Sequence, residues 1–227
     1  MIRVFKTHME ILPAIQKRLW SELRPAPGIG LILYGGTSVA LHLGHRVSVD
    51  FDFFTDKPLD RENLKEAFPF IARSAVLQDQ SDTFTVLVSG DAGQEAYVKI
   101  SFFGAIGIGR IGEPEATEDG VLHVASLDDL MATKLKVMLQ RVEAKDYQDI
   151  AAMLRSGVSL AKGLAAARVM YGRDFQPSES LKALVYFEGG DLHVLSREDR
   201  ETLIKAASTV RDLPSVRLAA RCLSANQ

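Results

Sequence analysis

Leu31 to Phe54, LILYGGTSVALHLGHRVSVDFDFF, is the stretch that most constrains how this chain folds. Leu31, Ile32, Leu33 and Tyr34 form an apolar run of the length of a buried strand. Gly35 and Gly36 break that run, because glycine admits positive φ and lets a ligand approach the backbone closely. Thr37 is placed to cap a following helix, whose first N–H groups would face whatever sits over the glycines. A basic loop with His45 and Arg46 leads to a second strand containing Asp50 and Asp52. Residues two apart on a strand share a face, so both carboxylates point the same way. Two acids side by side are expected to hold a hard divalent cation, Mg²⁺, which takes oxygen ligands and commonly binds substrate phosphates as well. The bland alternatives are a tight turn at the glycines and a solvated strand edge at the acids.

This arrangement, GGTSVAL followed by GHRVSVDFD, resembles the opening motif of the polymerase β-like nucleotidyltransferase superfamily. Its spacing is most similar to the AbiEii-type branch, the toxins of type IV toxin–antitoxin systems. The resemblance implies an α+β fold: a mixed sheet with helices over residues 1–125, then an α-helical domain over 126–227. It implies Mg²⁺ on Asp50 and Asp52, a nucleoside triphosphate cradled by Gly35, Gly36, Thr37 and Ser38, and Arg46 on phosphate. A second block, Lys134-Leu through Arg141 to KDYQDI, is similar to a later motif of the same family. It implies Lys134 and Arg141 as phosphate ligands and Asp146 as the base, with Lys145 and Asp149 shaping the site. Read without the resemblance, Lys134 and Arg141 share a helix face. Lys145 and Asp149 have the spacing of a surface pair worth roughly a few tenths of a kcal/mol.

The implied activity is transfer of a nucleoside monophosphate from a triphosphate to an acceptor, with RNA, and tRNA in particular, as the family-level expectation. A cognate antitoxin acting without a stable complex is implied as well. Enzymes of the wider superfamily carry a third carboxylate on a later strand; here Tyr97 to Phe103 places Ser101 at that position, with Lys99 on the same face. This departure supports a rival reading, a degenerate transferase kept as a nucleotide-binding or partner-binding module.

The rest of the chain sets bounds. Its 227 residues, 47% hydrophobic and 25% charged, are those of an ordinary globular protein. A net charge of −2 gives no global attraction to nucleic acid, so an RNA contact would need a local patch. No apolar run is long enough to span a membrane, the start MIRVFKTHMEILP has no signal-peptide core, and Cys222 has no second cysteine to pair with. A cytoplasmic location is the expectation.

Helices are predicted from about Pro13, over Arg61 to Phe68 behind Asp60, from Ser126 through Arg141, and from Ala144 to Leu154. Three more are predicted over Ser159 to Met170, Leu181 to Phe187, and Arg197 to Val210. Strands are predicted over Ala75 to Gln78, Thr83 to Ser89, Ala96 to Phe103 and Val121 to Val124. Gly90 to Gly93 reads as a hairpin turn, and Gly104 to Gly120 as an irregular loop. His42 and His45 read as surface and loop residues, Asp56 as structural, and Cys222 as a small buried residue.

Overall fold

The structure, a computed structural model, describes residues 2–90 and 96–225. The chain forms two compact units: residues 1–109, 113–125 and 221–227 in the first, and residues 110–112 and 126–220 in the second.

The first unit is built on one eight-stranded sheet. Its strands are β1 (Arg3–Phe5), β2 (Ile32–Tyr34), β3 (Asp50–Phe54), β4 (Ala75–Gln80), β5 (Thr83–Ser89), β6 (Tyr97–Phe103), β7 (Glu115–Thr117) and β8 (His123–Val124). They lie in the order β1-β7-β8-β2-β3-β6-β5-β4. The sheet is mixed: β3 runs antiparallel to β2 and parallel to β6, while β4, β5 and β6 form an antiparallel meander. Among the described residues its α-helices are α1 (Ala14–Leu19), α2 (Gly35–Leu43) and α3 (Arg61–Ala67).

The core of this unit follows from the alternation along β3. Phe51 and Phe53 are fully buried, while Asp50, Asp52 and Phe54 lie on the other face. Phe53 stacks on Phe102 of β6 at 5.6 Å between centroids, and Phe68 stacks on the same ring at 5.5 Å. Trp20 reaches Phe51 at 6.2 Å. This aromatic layer holds the central strands on one side; on the acidic face of β3 only Phe54 joins the aromatic packing, stacking on Tyr34 at 4.6 Å.

The second unit is helical: α4 (Leu127–Val137), α5 (Ala144–Arg155), α6 (Leu160–Tyr171), α7 (Pro177–Leu184) and α8 (Arg197–Thr209). The caps anticipated at Asp60, Ser126 and Ser196 are in place, and Ser159 adds another. The hydroxyls of Ser126, Ser159 and Ser196 accept from the N–H three residues on, and Asp60 does the same for α3. Gly157 ends the α5 segment with φ +95°.

Several expectations are corrected. Helix α4 stops at Val137 and not at Arg141, because its last turn tightens: Leu139 N bonds Lys136 O and Gln140 N bonds Val137 O. Helix α7 begins at Pro177, which starts a helix readily, and ends at Leu184. The segment read as an irregular loop contains β7, and β1 was not anticipated; both are three residues long and pair with each other in parallel. Cys222 is half-buried. The predicted turn at Gly90 to Gly93 falls largely outside the described residues.

Candidate active site

The acidic face of β3 is assembled by register. Asp50 lies opposite Lys99, Asp52 opposite Ser101 on β6, and Tyr34 of β2 opposite Asp52. Lys99 Nζ stands 3.3 Å from Asp50 Oδ2, with both side chains partly open to solvent. Ser101 is buried at 3% exposure.

Gly35 is fixed twice over. Its φ of +76° is a conformation that L side chains rarely adopt, and a Cβ on it would lie 2.5 Å from Asp52 Oδ2. The turn that opens α2 therefore runs directly against the Asp52 carboxylate. The first N–H groups of α2, from Gly35, Gly36 and Thr37, have no carbonyl one turn earlier to bond, and they carry the positive end of the helix dipole.

Thr37 does not cap the helix. Tyr34 occupies the cap position without a side-chain bond. The buried Thr37 hydroxyl instead bonds across to Ser48 Oγ at 2.8 Å and to the Asp50 carbonyl. Ser38 Oγ donates to Tyr34 O at 2.6 Å. Both hydroxyls expected to act as phosphate donors thus serve the frame. Sequence reasoning missed Ser48, whose part is visible only once β3 lies beside α2.

Arg46 is half-buried in the loop between α2 and β3, and its guanidinium donates to Val47 O at 3.1 Å. His42 is not on the surface. It stacks on Phe5 at 3.9 Å and donates from Nε2 to Ala125 O at 3.1 Å. Burial pushes its imidazole down to about 4, outweighing the hydrogen bond to the Ala125 carbonyl; the Glu115 carboxylate lies 3.7 Å away and is itself paired with Arg3. Asp56 accepts from Leu223 N at 3.1 Å, a structural contact.

Asp50 and Asp52 suit Mg²⁺. They are hard oxygen donors on one face, and this ion needs only one or two protein carboxylates because it keeps waters and substrate phosphates as its other ligands. Among the described residues no group of three or more His, Cys, Asp or Glu side chains is gathered to hold a metal.

In the second unit the later motif forms a charged cluster. Lys134 Nζ lies 2.7 Å from Asp146 Oδ1 and 2.6 Å from Asp149 Oδ2, with all three side chains at most 5% exposed. Arg141, beyond the end of α4, forks onto Asp146 through Nε at 2.9 Å and Nη2 at 3.2 Å. Burial alone would raise the Asp146 carboxyl; the Lys134 and Arg141 cations overcome it and hold the group below the ordinary carboxylate range. Lys134 and Arg141 therefore converge on one carboxylate, not along a shared helix face. Asp149 turns inward to Lys134, while Lys145 pairs with Glu143 at 2.8 Å. The three-residue spacing of Asp146 and Asp149 on α5 is the signal that both reach one partner.

A model of the family described as nucleotidyl transferase AbiEii toxin, type IV TA system, matches residues 18–221. The chain belongs to the AbiEii family. It is a nucleotidyltransferase. Protein aq_aa25 of Aquifex aeolicus (strain VF5), itself uncharacterized, is 31% identical over 159 residues, covering 69% of this chain and 73% of that protein. The AbiEii fold is shared with the solved structure of MenT4, nucleotidyltransferase toxin Rv2826c from Mycobacterium tuberculosis H37Rv. That match has a TM-score of 0.59 at 15% identity, covering 87% of this chain and 84% of that one. An antigenic nucleotidyltransferase-like protein from Paracoccidioides brasiliensis matches with a TM-score of 0.52 at 14% identity, covering 85% and 92%.

Proposed function

We propose that this toxin transfers a nucleoside monophosphate from a Mg²⁺-bound nucleoside triphosphate to a hydroxyl of RNA, with tRNA as the favoured acceptor, in the cytoplasm. The observation that carries the reading is the pair Asp50 and Asp52 on one open face of β3, with the Gly35 turn pressed against the Asp52 carboxylate. On this proposal Asp50 and Asp52 hold the ion, the N–H groups of Gly35, Gly36 and Thr37 bind phosphate oxygens, Ser38 fixes the turn, and Arg46 adds positive charge. Bound Mg²⁺ would supply charge neutralisation on the phosphates. The acceptor oxygen attacks the α-phosphorus, the bond from that phosphorus to the bridging oxygen breaks, and pyrophosphate departs.

For the second unit we propose roles on the strength of the family motif: Lys134 and Arg141 as phosphate-directed cations, and Asp146 as the group that receives the acceptor proton. Asp146 is ionised at neutral pH, as a base must be. Its two cations make it a weak base, so holding Lys134 in place is a large part of its work. An antitoxin that acts without a stable complex completes the proposed setting.

Purified protein incubated with each α-labelled nucleoside triphosphate, Mg²⁺ and total bacterial RNA tests this. Label is expected in an RNA band, reduced about a hundredfold or more in Asp52→Ala. Undiminished labelling by that variant would refute the proposed site, and label on protein or small molecules alone would refute the RNA acceptor.

A further inference from the structure

Opposite Asp52, where the resemblance to the wider superfamily implies a third carboxylate, β6 carries a buried serine, and a lysine stands two residues before it on the same strand. Parallel pairing of β3 with β6 sets Lys99 opposite Asp50 and Ser101 opposite Asp52. At 3% exposure the Ser101 hydroxyl offers no negative charge and little access to an ion. Lys99 is placed differently. Its side chain is 43% exposed, and its Nζ lies 3.3 Å from Asp50 Oδ2. The buried lysine of the second unit, by contrast, sits 2.6 and 2.7 Å from its carboxylates. The Lys99 pair is looser and solvated, so it yields readily to a competing anion.

Exchanging a carboxylate for serine and adding an ammonium makes this face less negative by two charges than a three-acid face would be. A second dication has correspondingly less to neutralise. We propose that the site binds a single divalent cation, and that Lys99 supplies from the protein the positive charge a second ion would bring, swinging from Asp50 to the phosphates once the nucleotide is bound. This rests on the assignment of Asp50 and Asp52 to the metal made above. Lys99 is then a substrate-contacting residue that also competes with the ion for Asp50 while the site is empty.

The two duties predict opposite effects of one substitution. Free Mn²⁺, followed by its electron paramagnetic resonance signal, would be titrated into the full chain with and without α,β-methylene analogues of the four nucleoside triphosphates. Wild type is expected to take up one Mn²⁺ per chain with a nucleotide analogue. Lys99→Met is expected to bind Mn²⁺ alone about tenfold more tightly, because a repelling charge is gone, and the Mn²⁺–nucleotide complex about tenfold more weakly. Lys99→Arg should restore both. Two ions per chain in the wild type would overturn this inference while leaving the metal assignment standing. So would a Lys99→Met variant that weakens both affinities or leaves both unchanged, since a merely structural pair behaves that way. Absence of Mn²⁺ binding in the wild type, with nucleotide or without, would sink the metal assignment and this inference together.

Discussion

Lys134 carries its ammonium to a place where water is nearly absent and two carboxylates stand within 2.7 Å. Bringing three charges out of water is costly, and mutual attraction returns that cost only while the set is complete. Lys134→Met should therefore destabilise the protein by about 3–5 kcal/mol, read as a lowered urea midpoint, because Asp146 and Asp149 lose their shared cation. Lost transfer activity in that variant has to be weighed against the fraction still folded. At this scale the sequence was readable where chemistry is local. Asp50 and Asp52 share a face because strands alternate, and Asp60 and Ser126 cap because the next N–H groups are close. It was unreadable where a partner is distant in the chain. The Thr37 hydroxyl finds Ser48, eleven residues on, and His42 finds Ala125, eighty-three residues on. No periodicity announces either bond.

Among the elements, α4 and α6 approach each other closely at Gly163. A Cβ there would collide with Met131 Cγ and come within 3.3 Å of Leu135 Cδ1. Gly163→Val should push the two helices apart and cost about 1–3 kcal/mol in chemical denaturation, while Gly157→Asn, at an open site with φ +95°, should cost much less. The long amphipathic helices and the central strands were legible because each carries several turns or alternations of pattern. Strands β1 and β7 were not: three residues hold too little periodicity, and their pairing joins positions more than a hundred residues apart. The end of α4 was misplaced for a related reason. Helical spacing continues to Arg141, but that side chain is drawn to Asp146 after the backbone has already left the helix.

The molecule as a whole should respond to acid partly through one imidazole. In the folded chain burial holds His42 near 4, whereas in the unfolded chain it titrates near 6.5. Between those values the unfolded state binds a proton that the folded state refuses. Stability is thus fully present above about pH 6.5 and falls as pH drops towards 4, by about 3 kcal/mol from this group. Unfolding midpoints at pH 7 and 4.5 should differ by less in His42→Gln than in the wild type; an unchanged difference would exclude His42 as the source. No helix among the described residues is long and apolar enough to cross a membrane. The bond from Thr37 to the start of β3 has a further effect. It ties the glycine turn, the phosphate-binding element of the proposed function, to the strand that bears the two acids before any nucleotide arrives. Entropy lost on association then falls mainly on the incoming molecule and little on the protein, so affinity there is governed by how fast the nucleotide leaves, not by how slowly the receptor rearranges.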